Sequence, residues 1–286
     1  MTSTVRWRRI LPMAVLGAAT LILVGCTTGD PAGNSTRQPP SPTGAPIEAA
    51  ALSPPLTHLH GLHVTADQTL LAGTHTGLVV IDPSGATTPV GTSDDDLMGL
   101  SGLPGTDTIF ASGHPGPSSS ASNPLGLRVS SDGGHRWDNR SLSGQVDFHV
   151  LAAASNLLIG SDGGPNLLIS SDTGGTWTRG AQLIPRTLAI SADGIWAATE
   201  QGVVWHSTDG GRSFVRIAAP TTIGLLAGNG AALWAVDVDG YAWQRFEGQA
   251  WRKHSWIGAT EAMAVGPDGT VYAATSAALQ VLVPDR

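Results

Sequence analysis

The 286-residue chain is poor in several residue types at once: one cysteine, one lysine (Lys253), two tyrosines and four phenylalanines. A single cysteine excludes an internal disulfide, so the folded part must be held by its core. One lysine and a formal net charge of −7 exclude the basic surface that a nucleic-acid backbone requires. Helical periodicity is also missing. Apolar residues come in short runs, broken by the 37 glycines and by Asn and Asp turns, and not at the i, i+3, i+4, i+7 spacing of an amphipathic helix. The chain therefore reads as all-β.

The N-terminus is the exception. Arg6, Arg8 and Arg9 precede an apolar run over residues 10–24, which is short for a membrane span. The string LVGC that ends at Cys26 resembles the lipobox of bacterial lipoproteins. That resemblance implies cleavage before Cys26 and a lipid on its thiol. Residues 1–25 are then a lipoprotein signal peptide. The mature chain is then expected in the bacterial cell envelope, extracytoplasmic, anchored through Cys26 to the outer leaflet of the cytoplasmic membrane or facing the periplasm. Residues 26–55 are rich in Pro, Ser and Thr, a composition that buries no core and is expected to form a disordered tether. Residues 46–286 are expected to form the folded domain.

Within that domain three segments repeat: SSDGGHRW, SSDTGGTW and STDGGRSF. They align Ser130, Asp132, Gly134 and Trp137 with Ser170, Asp172, Gly174 and Trp177, and with Ser207, Asp209, Gly211 and Phe214. A turn aspartate accepts backbone N–H bonds, glycine supplies positive φ, and the aromatic packs inward. The pattern resembles the Asp-box, or bacterial neuraminidase repeat. The resemblance implies a β-propeller in which each box joins the third and fourth strands of a blade, away from the usual active face, so these residues are structural. A second repeat marks innermost strands: HGLHV, MGLSG, HVLAA, RTLAI, IGLLA and EAMAV, each followed by a second apolar run. Six copies predict a six-bladed β-propeller, with residues 47–52 supplying the missing strand of the last blade and closing the ring. Trp196, Trp205 and Trp234 recur within strands and read as core.

In such a ring the starts of the first strands and the ends of the second strands meet at one mouth of the central channel. His58 and His60 fall there from blade one, Asp96 and Met98 from blade two, and Asp147 and His149 from blade three. Arg186 and Glu261 hold the same register in later blades. His75, His114 and Glu200 lie at second-strand ends. Polar side chains at these positions are not what packing demands. Imidazoles with a thioether suit a transition metal, copper in particular, and the carboxylates would orient them. The alternative is that His58 and His60 only hydrogen-bond Asp96 or Asp147 across blades. His63 is out of phase with His58 and His60 and is expected to pack between blades. His135, His206 and His254 read as surface residues. The acidic run 94–96 reads as a solvated turn, and the Ser/Pro/Gly-rich insertion after His114 as a lid or a tolerated loop.

Three functions are compatible with this pattern. A sialidase-like enzyme would need an arginine triad and a Tyr/Glu pair, which are not evident. A different glycoside hydrolase would need two carboxylates at a working distance. The reading preferred from the sequence is an envelope lipoprotein that binds a ligand, copper among the candidates, or a protein, small-molecule or glycan partner on its top face.

Overall fold

A computed structural model describes residues 47–230 and 232–283. The leader, Cys26 and the tether as far as residue 46 lie outside the described residues. The strands are β1 (Ile47–Ala51), then β2 (Leu59–Val64), β3 (Leu70–Thr74), β4 (Gly77–Ile81) and β5 (Thr87–Val90) of blade one. Blade two is β6 (Asp96–Gly102), β7 (Ile109–His114), β8 (Leu127–Ser130) and β9 (Asp138–Ser141). Blade three is β10 (Val150–Ala154), β11 (Leu157–Ser161), β12 (Asn166–Ser170) and β13 (Thr178–Gln182). Blade four is β14 (Thr187–Ser191), β15 (Gly194–Ala198), β16 (Val204–Ser207) and β17 (Val215–Ile217). Blade five is β18 (Ile223–Asn229), β19 (Ala232–Asp237), β20 (Tyr241–Phe246) and β21 (Arg252–Trp256). Blade six is β22 (Ala262–Val265), β23 (Val271–Ala274) and β24 (Ala278–Leu282). Each blade is a four-stranded sheet in sequence order. In the sixth, β1 supplies the outer strand, pairing antiparallel with β24 from Ile47↔Leu282 to Ala51↔Ala278. The fold is the six-bladed β-propeller that the repeats imply.

The blades follow from the burial demanded of each strand. First strands approach one another around the axis, and glycine permits the approach. A Cβ on Gly99 would lie 2.2 Å from the Phe148 carbonyl oxygen, and one on Gly228 2.4 Å from that of Ile190. Second strands are almost wholly apolar and buried, as in LLAGT of β3 and LLIGS of β11. Outer strands β9 and β13 are polar and largely exposed, and β17 (Val215–Ile217) is largely exposed. Apolar faces of neighbouring blades interlock, for example Leu71 and Leu78 of blade one with Leu97, Leu100 and Ile109 of blade two. Leu52 is buried, as is Leu56 just beyond the Pro-rich stretch 26–55, so the C-terminal part of that stretch packs on the blades.

Each box closes on itself. Ser130 Oγ accepts the Gly134 N–H at 2.8 Å and donates to Asp132 Oδ1 at 2.9 Å, and Asp132 Oδ1 accepts the Arg136 N–H at 2.9 Å. Ser170/Asp172 and Ser207/Asp209 repeat the pattern. The Ser213 hydroxyl, the Ser213 N–H and the Ser207 hydroxyl hold the Asp209 carboxyl down to about 2. The box aromatics fill seams: Trp137 packs with the blade-one/two cluster, Trp177 with blades two and three, and Phe214 with blades three and four.

Of the histidines read as surface residues, one is buried and one is half-buried. His254 is buried, bonded to Gln244 Oε1 at 3.1 Å and tilted over Trp234 at 4.8 Å. His206 stacks on Trp196 at 4.0 Å. The large tryptophans of blades four and five draw these rings inward, an effect that strand position alone does not reveal. Trp196 and Trp234 are fully buried and Trp205 is half-buried. His135 is exposed. His63 is buried between blades one and two, its Nε2 3.0 Å from the Thr106 carbonyl and its ring where a side chain on Gly102 would stand. Burial holds the His63 pKa below its usual value.

Candidate functional site: a histidine and carboxylate mouth

First strands of all six blades enclose a central channel of about 260 Å³, lined at one end by His60, His149, Arg186 and Glu261. Two clusters of imidazoles and carboxylate form at that end.

The first spans blades one and two. His75 Nε2 is 3.0 Å from His58 Nδ1, and His75 Nδ1 is 3.5 Å from His60 Nε2. Possible ligand atoms of the three rings all lie within 4.8 Å of one another. Asp96 joins them from β6, with Oδ2 2.8 Å from His75 Nδ1 and Oδ1 3.4 Å from His60 Nε2. That Oδ1 is buried and has no hydrogen-bond partner. Two strand ends build the group. His58 and His60 flank Leu59, whose side chain is buried in the core, so both rings fall on the opposite side. His75 follows β3 directly. His58 has φ +60°, a left-handed conformation that costs a non-glycine residue of the order of 1 kcal/mol and marks functional sites more often than loops at large. Burial lowers the His60 pKa, with His75, His58 and His149 acting the same way and Asp96 opposing them. Its ring is therefore neutral near pH 7, the form that ligates a metal.

The second spans blades two and three. His149 Nε2 and His114 Nε2 both meet Asp147 Oδ2, at 2.8 and 3.2 Å. Asp147 Oδ1 is buried without a partner. His114 Nδ1 lies 2.7 Å from Asn123 Oδ1, in the long loop after β7. Between Asp147 and His149, the Phe148 side chain is fully buried and its N–H donates to Ser112 Oγ at 2.8 Å.

The remaining sequence candidates separate from these clusters. Arg186 and Glu200 are exposed and pair with each other at 3.4 Å on blade four. Glu261 Oε2 accepts the Ser276 N–H at 3.0 Å. Met98 is half-buried and is not among the described residues lining the channel. The pairing of β6 with β7 shifts between Asp96 and Gly99, from Asp96↔His114 to Gly99↔Ser112, as that of β2 with β3 shifts between Leu59 and Gly61 around His60. The donors that meet at short distances are imidazoles and carboxylates.

The acidic run is not a solvated turn. Asp95 is buried, ion-paired with Arg128 at 3.1 Å, and accepts the Gly116 N–H at 2.9 Å. Asp94 accepts the Ser118 hydroxyl and N–H. Leu125, later in the same loop, is buried and its N–H donates to the Gly113 carbonyl. The insertion is therefore fastened beside the mouth, and it brings Asn123 to His114. Arg128 and Asn123 were missed because nothing in their sequence neighbourhood distinguishes them; only the loop path does.

No family model matches this chain, and no curated protein matches it. Solved structures do. Virginiamycin B lyase from Staphylococcus aureus superposes with a TM-score of 0.55 at 12% identity, over 84% of this chain and 99% of that one. The gluconolactonase XC5397 from Xanthomonas campestris gives 0.61 at 12% identity, over 80% and 87%. YCF48 bound to D1 peptide gives 0.54 at 14% identity, over 86% and 100%. Identities this low speak for the fold alone. Fold and site together define a six-bladed β-propeller with five histidines and two aspartates gathered at one mouth of its channel.

Proposed function

We propose that this protein is a ligand-binding propeller that holds a divalent transition-metal ion on His58, His60 and His75, with Asp96 as a fourth ligand or as the group that orients the rings. The observation that carries this reading is the approach of three imidazoles to within 4.8 Å beside a carboxylate oxygen that is buried and unpartnered. Metal–nitrogen bonds of about 2.0–2.1 Å need only small side-chain rotations from such a start. Packing gives no reason to keep a buried carboxylate oxygen without a donor, since desolvation without a bond costs about 1–3 kcal/mol. A cation removes that cost. The donor set also selects the ion. Imidazole with carboxylate suits Cu(II) or Zn(II).

In this reading the propeller is carried on the outer face of the bacterial cytoplasmic membrane by a lipid on Cys26, on the strength of the LVGC string. The rest of the mouth is free to meet a protein or small molecule. A solved propeller bound to a peptide and two solved propeller enzymes make either kind of partner reasonable. Hydrolysis of a glycoside is the weaker alternative, because the two mouth aspartates, Asp96 and Asp147, are engaged with histidines and Arg186 is the one arginine among the described channel-lining residues.

The test is metal binding by the purified full-length chain, stripped with a chelator and titrated with Cu(II) and Zn(II). Stoichiometric, tight binding that His58→Ala/His75→Ala reduces supports the reading. Equal binding by wild type and that variant removes it.

A further inference from the structure

We infer that the mouth holds a second divalent transition-metal ion, on His114, Asp147 and His149, next to the first; this rests on the metal-binding reading above. The two clusters repeat one design. In each, two imidazole nitrogens from different elements converge on one carboxylate, and one oxygen of that carboxylate is buried without a partner.

The hydrogen-bond chemistry of His114 points the same way. With the Asn123 amide oriented as found, its oxygen faces Nδ1 at 2.7 Å and accepts the Nδ1 proton. A neutral ring then has only a lone pair at Nε2. That lone pair is aimed at Asp147 Oδ2, itself an acceptor, 3.2 Å away. Two acceptors face each other comfortably only with a positive charge between them, a second proton on the ring or a metal ion. Ligand atoms that share one ion at about 2.0–2.2 Å stand roughly 3 Å apart, and His114 Nε2 and His149 Nε2 each lie at such a separation from Asp147 Oδ2. A metal-bound histidine normally gives its other ring N–H to a carbonyl or carboxylate, which is the part Asn123 plays.

The two centres adjoin. Asp96 of the first cluster and His114 of the second are direct cross-strand partners in β6 and β7, so their Cα atoms lie about 5 Å apart. The outer side chains of both clusters, His75, His114 and His149, are 41–53% exposed, which leaves room for water or an oxyanion on the ions.

The experiment counts ions. The full-length chain, stripped and titrated with Cu(II), is assayed for bound metal after gel filtration, alongside His58→Ala/His75→Ala, His114→Ala/His149→Ala and Asn123→Ala, with circular dichroism to confirm folding. The inference requires two ions in wild type and one in each double variant. Asn123→Ala, which keeps every ligand, should bind one ion normally and the other about 10–100-fold more weakly. One ion in wild type that survives His114→Ala/His149→Ala overturns the second site and leaves the first. One ion lost in both double variants overturns it in favour of a single shared centre. No ion at all overturns both this inference and the proposed function.

Discussion

Phe148 is the anchor of the second cluster, and its removal has a calculable cost. The side chain is fully buried in the seam with Phe110, Leu127, Leu151 and Leu158, and its ring lies 4.8 Å from that of Trp177. Part of the ring occupies space that opens only because residue 160 is glycine: a Cβ there would lie 2.6 Å from it. That wall is backbone in the middle of β11 and cannot move in to fill a void. Phe148→Ala should therefore destabilise the domain by about 3–5 kcal/mol. At 2–4 °C per kcal/mol for a domain of this size, the melting temperature should fall by roughly 6–20 °C. Phe148→Leu keeps most of the volume and should cost about 1 kcal/mol. Denaturant unfolding followed by circular dichroism measures both. A loss below about 1 kcal/mol for the alanine variant would refute the packing argument, because a filled, rigid-walled site cannot lose a ring that cheaply. The functional consequence is local. Asp147 and His149 project from either side of this anchor, so below its own melting temperature Phe148→Ala should weaken ion binding at the second cluster and spare His58, His60 and His75.

Gly99→Ala should destabilise by about 1–3 kcal/mol through overpacking, because its Cβ would meet the Phe148 carbonyl oxygen at 2.2 Å; a neutral result in thermal melts would mean that blades two and three are less tightly apposed. Ser170→Ala strands the buried Gly174 N–H and should cost about 1–3 kcal/mol, read as a shift in denaturant midpoint at unchanged slope. For His63 the sign follows from linkage. Burial lowers its folded-state pKa below 6.5, against the opposing pull of the Thr106 carbonyl and the Asp107 charge, so between that lowered value and 6.5 the unfolded chain binds more protons. Stability contributed at this position is complete above pH 6.5 and is lost as pH falls through the window. Unfolding free energies at pH 7.5 and 5 should therefore differ less in His63→Gln than in wild type; identical differences would sink the assignment.

Much of this architecture was legible because its chemistry is local. A box needs a serine, an aspartate and a glycine at fixed offsets to tie one turn, so Ser130, Asp132 and Gly134 announce a blade without any long-range information. The innermost strands were legible because only small residues fit where blades converge, and His58, His60, Asp147 and His149 stood out against that requirement. What escaped depended on pairing between distant segments. The register shifts of β2 around His60 and of β6 before Gly99 come from pairing with the next strand and leave no mark in the sequence. His254 and His206 looked peripheral until Trp234 and Trp196 covered them.

The three consecutive aspartates show why composition could not resolve the mouth. As a string, 94–96 is one acidic turn, and mutual repulsion would favour full solvation. In the fold the three carboxylates take three different partners: Asp94 takes the Ser118 hydroxyl, Asp95 the Arg128 guanidinium, and Asp96 the His60 and His75 rings. Each partner is remote in sequence or on another strand. The first two bonds fasten the loop that carries Asn123 to His114, and the third enters the first cluster. Adjacent charges of one sign can be held this close only if each is stabilised separately. Each oxygen of Asp94 and Asp95 accepts a hydrogen bond, whereas Asp96 Oδ1, 3.4 Å from His60 Nε2, accepts none. Its partners are imidazoles, which are weak compensation while neutral. The unbalanced charge therefore concentrates at the one aspartate of the three that faces the other histidines, which is where a cation would be bound most tightly.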